Sequence, residues 1–219
     1  MKALIIGATG MVGRELVQLL LNDDYFQKIV VFGRRTLGID HKKLEEHMIN
    51  FDNMNEWQHL VTGDILFSTL GTTLKQAGSK ENQYKIDYTY QYEFANAASK
   101  NKVPVYVLIS AASANPGSRF FYTRMKGELE RDVKKLIFEA IHIIQPGLLQ
   151  GHRDKERTGE KLFLKVLNSA NSIGLLNKYR PVHGKKVAKA MIQAVRSNLA
   201  GIFQYELEEV FELASSESR

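Results

Sequence analysis

Tyr122-Thr123-Arg124-Met125-Lys126 sets a phenol and an ammonium four residues apart. On a helix, positions i and i+4 share a face, so the two groups become neighbours. A free tyrosine has a pKa of about 10, and an adjacent cation favours its phenolate. The hydroxyl then becomes a usable proton donor or acceptor nearer neutrality. Among the nine tyrosines of the chain, Tyr88 and Tyr92 have no lysine four residues on, and Tyr84 has Tyr88 there. The stretch before the pair, Ser110-Ala111-Ala112-Ser113-Ala114-Asn115-Pro116, offers hydroxyls. Ser110, or failing that Ser113, is placed to polarise a substrate oxygen; turn formation is the other use of such residues.

A second constellation is Gly7, Ala8, Thr9, Gly10, Met11, Val12 and Gly13. Gly7 permits a tight turn, Gly10 lets the backbone approach a diphosphate, and Gly13 allows close packing of a helix on a strand. The free N–H groups and positive end of the helix that follows face the phosphates. The spacing is G-x-x-G-x-x-G, a variant of the dinucleotide fingerprint, and it stands where that fingerprint must stand, between a strand and a helix. In NAD-binding domains a carboxylate about twenty residues further on binds the ribose. Here the corresponding strand ends in Gly33-Arg34-Arg35. Paired guanidiniums suit a 2′-phosphate, so NADP(H) is expected in preference to NAD(H). Lys126 is then also positioned to hold the nicotinamide ribose.

These residues need a scaffold. Short apolar runs at Lys2–Ile6, Lys28–Phe32, His47–Phe51, Asp64–Thr69, Val103–Ile109 and Ala140–Gln145 read as strands buried on both faces of a parallel sheet. Helical patterns at Val12–Leu21, Tyr88–Lys100, Tyr122–Phe138 and Lys185–Ser197 lie between or after them. The alternation predicts an α/β fold, a doubly wound parallel sheet of Rossmann type. Residues 1–214 are expected to form one dinucleotide-binding domain, residues 148–183 a substrate-side excursion and residues 215–219 a frayed tail. Asp87 reads as an N-cap for the Tyr88 helix. His142 reads as a core or edge histidine, and His152 and His183 as residues near substrate. Arg153, Arg157 and Glu160 read as a lid or a salt-bridged loop.

Composition narrows the function classes. The 219 residues contain no cysteine, which removes thiolate metal sites, disulfides and cysteine nucleophiles. The histidines show no ligand spacing, so no metal is expected. The net charge of +6 is spread over separate clusters at Arg34-Arg35, Lys42-Lys43, Arg153–Arg157 and Lys185-Lys186, without interleaved aromatics. No nucleic-acid partner is therefore expected. Neither a targeting segment nor a membrane span is read, and a cytoplasmic protein is expected. The single apolar stripe of the Tyr122 helix (Met125, Leu129, Val133, Leu136) predicts a monomer rather than a dimer.

With GATGMVG at Gly7, GRR at Gly33, INFDNMNEW at Ile49, LGTTLKQAG at Leu70, YTRMKGELE at Tyr122 and QPGLLQGHRDKERTGE at Gln145, the chain resembles the atypical branch of the short-chain dehydrogenase/reductase superfamily that includes the TIP30-like oxidoreductases. The likeness spans nearly the whole chain. It implies NADP(H) on the glycine loop, Asp52 near the adenine, and Leu70, Gly71 and Thr72 lining the cofactor. It also implies Tyr122 and Lys126 as the catalytic pair, and Pro146, Gly147 and Leu148 passing the nicotinamide. Ala111 stands where the second of two consecutive serines is usual, and Gln145 where relatives often carry arginine. The resulting expectation is an NADP(H)-dependent oxidoreductase acting on a small carbonyl or alcohol. The alternatives are an NADP(H)-sensing regulatory protein or an epimerase- or dehydratase-like enzyme of nucleotide sugars.

Overall fold

The computed structural model of the chain describes residues 1–150 and 180–216. Its strands are β1 (Lys2–Ile6), β2 (Lys28–Gly33), β3 (Leu44–Met48), β4 (Ile65–Ser68), β5 (Val105–Ile109), β6 (Ala140–Gln145) and β7 (Gly201–Glu206). Its longer helices are α1 (Met11–Leu21), α2 (Tyr90–Lys100), α3 (Phe121–Val133), α4 (Gly184–Arg196) and α5 (Glu208–Ser215). The seven strands form one sheet in the order β3-β2-β1-β4-β5-β6-β7, and every neighbouring pair is parallel. The Rossmann-type fold expected from the alternation is the fold observed.

Register sets the site. Ile6 lies opposite Phe32 and Ser68, Ser68 opposite Leu108, and Ile109 opposite Ile144. The carboxyl ends of the central strands therefore open on one edge. The strand order reverses between β1 and β4, and ligands of such sheets bind in the crevice at that reversal.

Each face of the sheet is covered by helices. Leu16, Val17 and Leu20 of α1 and Val187, Met191 and Ala194 of α4 pack on one face with Ile5, Ile29 and Phe67. Phe94 of α2 and Leu129 and Val133 of α3 cover the other, with Trp57 stacked on Phe94 at 4.0 Å. The pattern Leu16–Leu20 and Leu129–Val133 is the i, i+4 stripe of an amphipathic helix.

Four assignments differ from expectation, the first being the helix read over Tyr122–Phe138, which ends at Val133. β3 lies at Leu44–Met48, not His47–Phe51. It is an edge strand, half-exposed and rich in Glu45, Glu46 and His47, while the apolar Phe51 belongs to a turn packed on Tyr90 and Phe94. β7 and α5 were not expected. β7 is the opposite edge and has little continuous apolar character. Asp87 is not a cap; it lies inside a helical segment, and it belongs with the site. The excursion is visible at its stems, where Leu149–Gln150 pairs in parallel with Val182–His183. His152, Arg153, Arg157 and Glu160 lie outside the described residues, as do residues 217–219 of the expected tail; Ser215 still belongs to α5. Among the described residues no helix is long and apolar enough to cross a membrane.

His142 on β6 is buried and stacked against Phe203 and Tyr205 of β7. Burial pushes its pKa down to about 4, below the unfolded value of about 6.5. The neutral ring therefore supports the fold above about pH 6.5 and loses that support as the pH falls towards 4. Urea unfolding of the wild type and His142→Phe across pH 4–7 is expected to show the wild type losing about 3 kcal/mol relative to the variant at the acid end. A constant difference between the two would remove the titration as its cause.

Candidate functional site

The glycine loop leaves β1 at Gly7 with φ +82, a conformation that side chains disfavour. A Cβ on Gly7 would stand 2.4 Å from the Leu70 nitrogen and the Thr69 carbonyl carbon, and one on Gly13 would stand 2.2 Å from Gly7 O. These glycines let α1 settle against the end of β1 and bring the main chain after β4 beside the loop. Thr69 completes the junction, its N–H and hydroxyl both donating to Ile6 O at 2.9 and 2.8 Å. Gly10 precedes α1 without any side-chain cap. The first-turn amides of an eleven-residue helix thus meet no side-chain acceptor at its N-cap, on a face where Gly10 is exposed. That cradle fits the diphosphate of a dinucleotide.

Asp52 follows the buried Phe51 and is half-exposed. Lys85 Nζ pairs with it at 2.6 Å and Tyr90 OH donates to it at 2.7 Å. The lysine, then the tyrosine, holds its carboxyl below the usual range. It is a fixed acceptor on the β2 side of the crevice. Gly71 is exposed, and the Thr72 N–H donates to Asp87 Oδ2 at 2.8 Å.

Tyr122, the second residue of α3, is 43% exposed, whereas Lys126, one turn on, is 3% exposed. Lys126 Nζ lies 3.3 Å from Asp87 Oδ1. Burial works against this ammonium, but Asp87, Tyr122 and Glu130 together outweigh it and hold Lys126 above the ordinary lysine value. Burial likewise lifts the Asp87 carboxyl, with Lys126 opposing. The i, i+4 spacing read from the sequence thus gives one exposed phenol with a buried charge behind it. Asp87 is the residue that sequence reasoning missed: as an acid just before an amphipathic pattern, it had the features of a cap.

Ser110 follows β5, yet its Oγ is buried and turned towards Glu130 without closing a well-aligned hydrogen bond. Gln145 Nε2 donates to both Glu130 oxygens at 2.9 and 3.2 Å. The structure therefore does not bring Ser110 to the crevice surface with Tyr122. Ser113 is exposed, in a left-handed conformation (φ 63), with its N–H donating to Glu206. Pro146, Gly147 and Leu148 leave β6 on the same edge, Pro146 O accepting from the Ala112 N–H. Arg34 and Arg35 are exposed at the end of β2. Immediately after them, Glu46 accepts from Thr36 Oγ1 and the Leu37 N–H, both at 2.6 Å.

The loop carrying these serines lies hard against α3. A Cβ on Gly127 would stand 2.3 Å from Asn115 C and Pro116 N, with only backbone to yield. Gly127→Ala is expected to cost about 1–3 kcal/mol, the range of overpacked sites, and to lower the melting temperature by several degrees, as scanning calorimetry would read. An unchanged melting temperature would show that the loop moves aside freely.

Residues 2–82 match the family described as "Semialdehyde dehydrogenase, NAD binding domain". The mitochondrial protein fmp52 of Aspergillus fumigatus is 37% identical over 176 residues, which cover 77% of this chain and 75% of that protein. FMP52 of Candida albicans, also mitochondrial, is 32% identical over 92% of this chain and 90% of its own. Among solved structures, MoeE5 in complex with UDP-glucose and NAD superposes with a TM-score of 0.70 at 16% identity, covering 98% of this chain and 81% of MoeE5. The Bordetella bronchiseptica enzyme WbmH in complex with NAD+ gives 0.67 at 20% identity, over 96% and 79%. The fold is that of these Rossmann-type structures.

Two expectations are corrected. NADP(H) does not take precedence: the dinucleotide held by MoeE5 and by WbmH is NAD. Arg34 and Arg35 are exposed beyond the end of β2, where solvent and salt screen their charge, and Arg35 borders a cleft with Ala8 and Thr9. A cytoplasmic setting is overturned by relatives named as mitochondrial; the absence of cysteine does not distinguish compartments. Sharing about a third of its residues with relatives whose length it covers by three quarters or more, the chain belongs to the family of the fungal FMP52 proteins.

Proposed function

We propose that the chain is an NAD(H)-dependent enzyme of the oxidoreductase and epimerase type, acting at a carbinol or carbonyl carbon of a small molecule. The observation that carries this reading is the exposed Tyr122 phenol backed by the buried Lys126 on the edge where the glycine loop opens. Gly7 to Gly13 would hold the diphosphate on the α1 amides, Asp52 would face the adenine, and Leu70, Gly71 and Thr72 with Pro146, Gly147 and Leu148 would wall the crevice. NAD would supply a hydride acceptor, and NADH a donor, at the substrate carbon. Tyr122 takes the proton from the hydroxyl when the substrate is oxidised and returns it when a carbonyl is reduced. Lys126, buried one turn further along α3 and paired with Asp87, keeps a positive charge on the helix that carries the phenol. Ser113, having the exposed hydroxyl, is better placed than Ser110 to touch a substrate oxygen.

The relatives' names support a mitochondrial setting, and the motif likeness supports the TIP30-like branch of the superfamily. A second reading is favoured by the ligand of MoeE5: transient oxidation of a nucleotide sugar, with the hydride returned to the same substrate.

Calorimetry is expected to find NAD or NADH bound at least tenfold more tightly than the phosphorylated nucleotides; the reverse order would overturn the cofactor assignment. In single-turnover absorbance at 340 nm with panels of alcohols, ketones and UDP-sugars, Tyr122→Phe is expected to lower the rate by 10²-fold or more, the scale of general acid–base catalysis, with NAD affinity kept. Net NADH accumulation identifies an oxidoreductase, and a transient that returns to baseline identifies epimerase chemistry. Undiminished turnover by Tyr122→Phe would exclude the assigned acid–base residue.

A further inference from the structure

Asp87 sits where the helix between Lys80 and Lys100 widens into a π turn over Lys85–Thr89. Such turns are rare and tend to mark functional positions. The widening points a carboxylate into the protein: Asp87 is 1% exposed. One oxygen, Oδ1, lies 3.3 Å from Lys126 Nζ, and the other, Oδ2, accepts from the Thr72 N–H at 2.8 Å. The geometry tolerates little change, since a Cβ on Gly71 would already stand 3.3 Å from Oδ1. The main chain of Asp87 is held too. Gln91 Nε2 donates to its carbonyl at 2.7 Å, and Ser68 Oγ at the end of β4 donates to Gln91 Oε1 at 2.7 Å.

We infer that Asp87 is a positioning residue, whose two carboxylate oxygens join the Lys126 ammonium on α3 to the Thr72 amide of the cofactor-side loop. The inference rests on the acid–base reading of Tyr122 and Lys126. A buried ammonium needs a partner to remain charged. The charged and titratable groups acting on Lys126 are Asp87 across the helix interface and Tyr122 and Glu130 along α3. Asp87 alone of these also grips the loop at the end of β4. It thereby sets both the charge behind the phenol and the distance between that charge and the cofactor-side wall.

The test is Asp87→Asn, which keeps an oxygen for the Thr72 N–H and removes the negative charge. Titration of the Lys126 ammonium by 15N NMR, its signal identified by loss in Lys126→Arg, is expected to move down by about one unit or more. NAD affinity by calorimetry is expected to stay within threefold of wild type, and single-turnover hydride transfer to fall about tenfold. Asp87→Ala, which also frees the Thr72 amide, is expected to weaken NAD as well. An unchanged Lys126 titration in Asp87→Asn overturns the inference. Should neither variant fold, the wild-type titration decides: Lys126 ionising above a free lysine supports it, and at or below that value overturns it. A shifted titration in a protein that transfers no hydride upholds the positioning role and sinks the acid–base reading instead. Intact transfer with an unshifted titration does the opposite.

Discussion

Main chain meets main chain where β1 and β4 end, at a separation that leaves no room for a side chain. Gly7 lies against Thr69 and Leu70, and Gly13 against Gly7. This contact fixes where α1 begins and where the chain after β4 must go. A parallel sheet delivers its strand ends to one edge but does not bring the following loops together. Here the missing Cβ atoms do so. Leu70 to Thr72 can then run beside the glycine loop, and Thr72 reaches the carboxylate that holds Lys126.

A second close approach, at Gly127, seats the loop after β5 on α3. Together the two contacts frame a polar interior. Ser68, Gln91, Asp87 and Lys126 form one continuous chain of partners, and Glu130 and Gln145 another. Desolvated charges are costly alone and tolerable only with partners held in place. The helices flanking the crevice are held by the same contacts that keep the lysine charged. On the outer side of these helices Tyr84, Tyr88 and Tyr92 stack, and Tyr88 OH donates to Asp132 of α3.

Much of this was legible in the residues. The strand Lys2–Ile6 and the strand Ala140–Gln145 were read to the residue, because buried parallel strands are continuous apolar runs with abrupt polar ends. The glycine loop and the Tyr122–Lys126 spacing are plain in the sequence, and the structure sets the loop between β1 and α1 and the lysine one buried turn beyond the exposed tyrosine. Edge strands did not: β3 and β7 are paired on one side only, so polar residues are tolerated and the apolar signal weakens. Asp87 was misread because a carboxylate at a helix start and one inside a widened turn look alike in one dimension. Ser110 stands at the end of β5, as its place in the sequence predicts, but the burial of its hydroxyl is set by packing from elements distant along the chain. The paired arginines show the limit of charge alone: their type suggests a phosphate, but both are exposed.

The stems of the excursion after β6 carry a consequence for how this scaffold diversifies. The Val182 N–H donates to Leu148 O, and Gly184 begins α4 against Met11 of α1 with no space for a Cβ. The chain departs and re-enters at one stitched point beside the opening helix. Changing the number of residues between those stitches alters closure entropy by only about 0.6 kcal/mol per doubling. The stitch itself is made of main-chain contacts, so it does not depend on which side chains lie between its two ends.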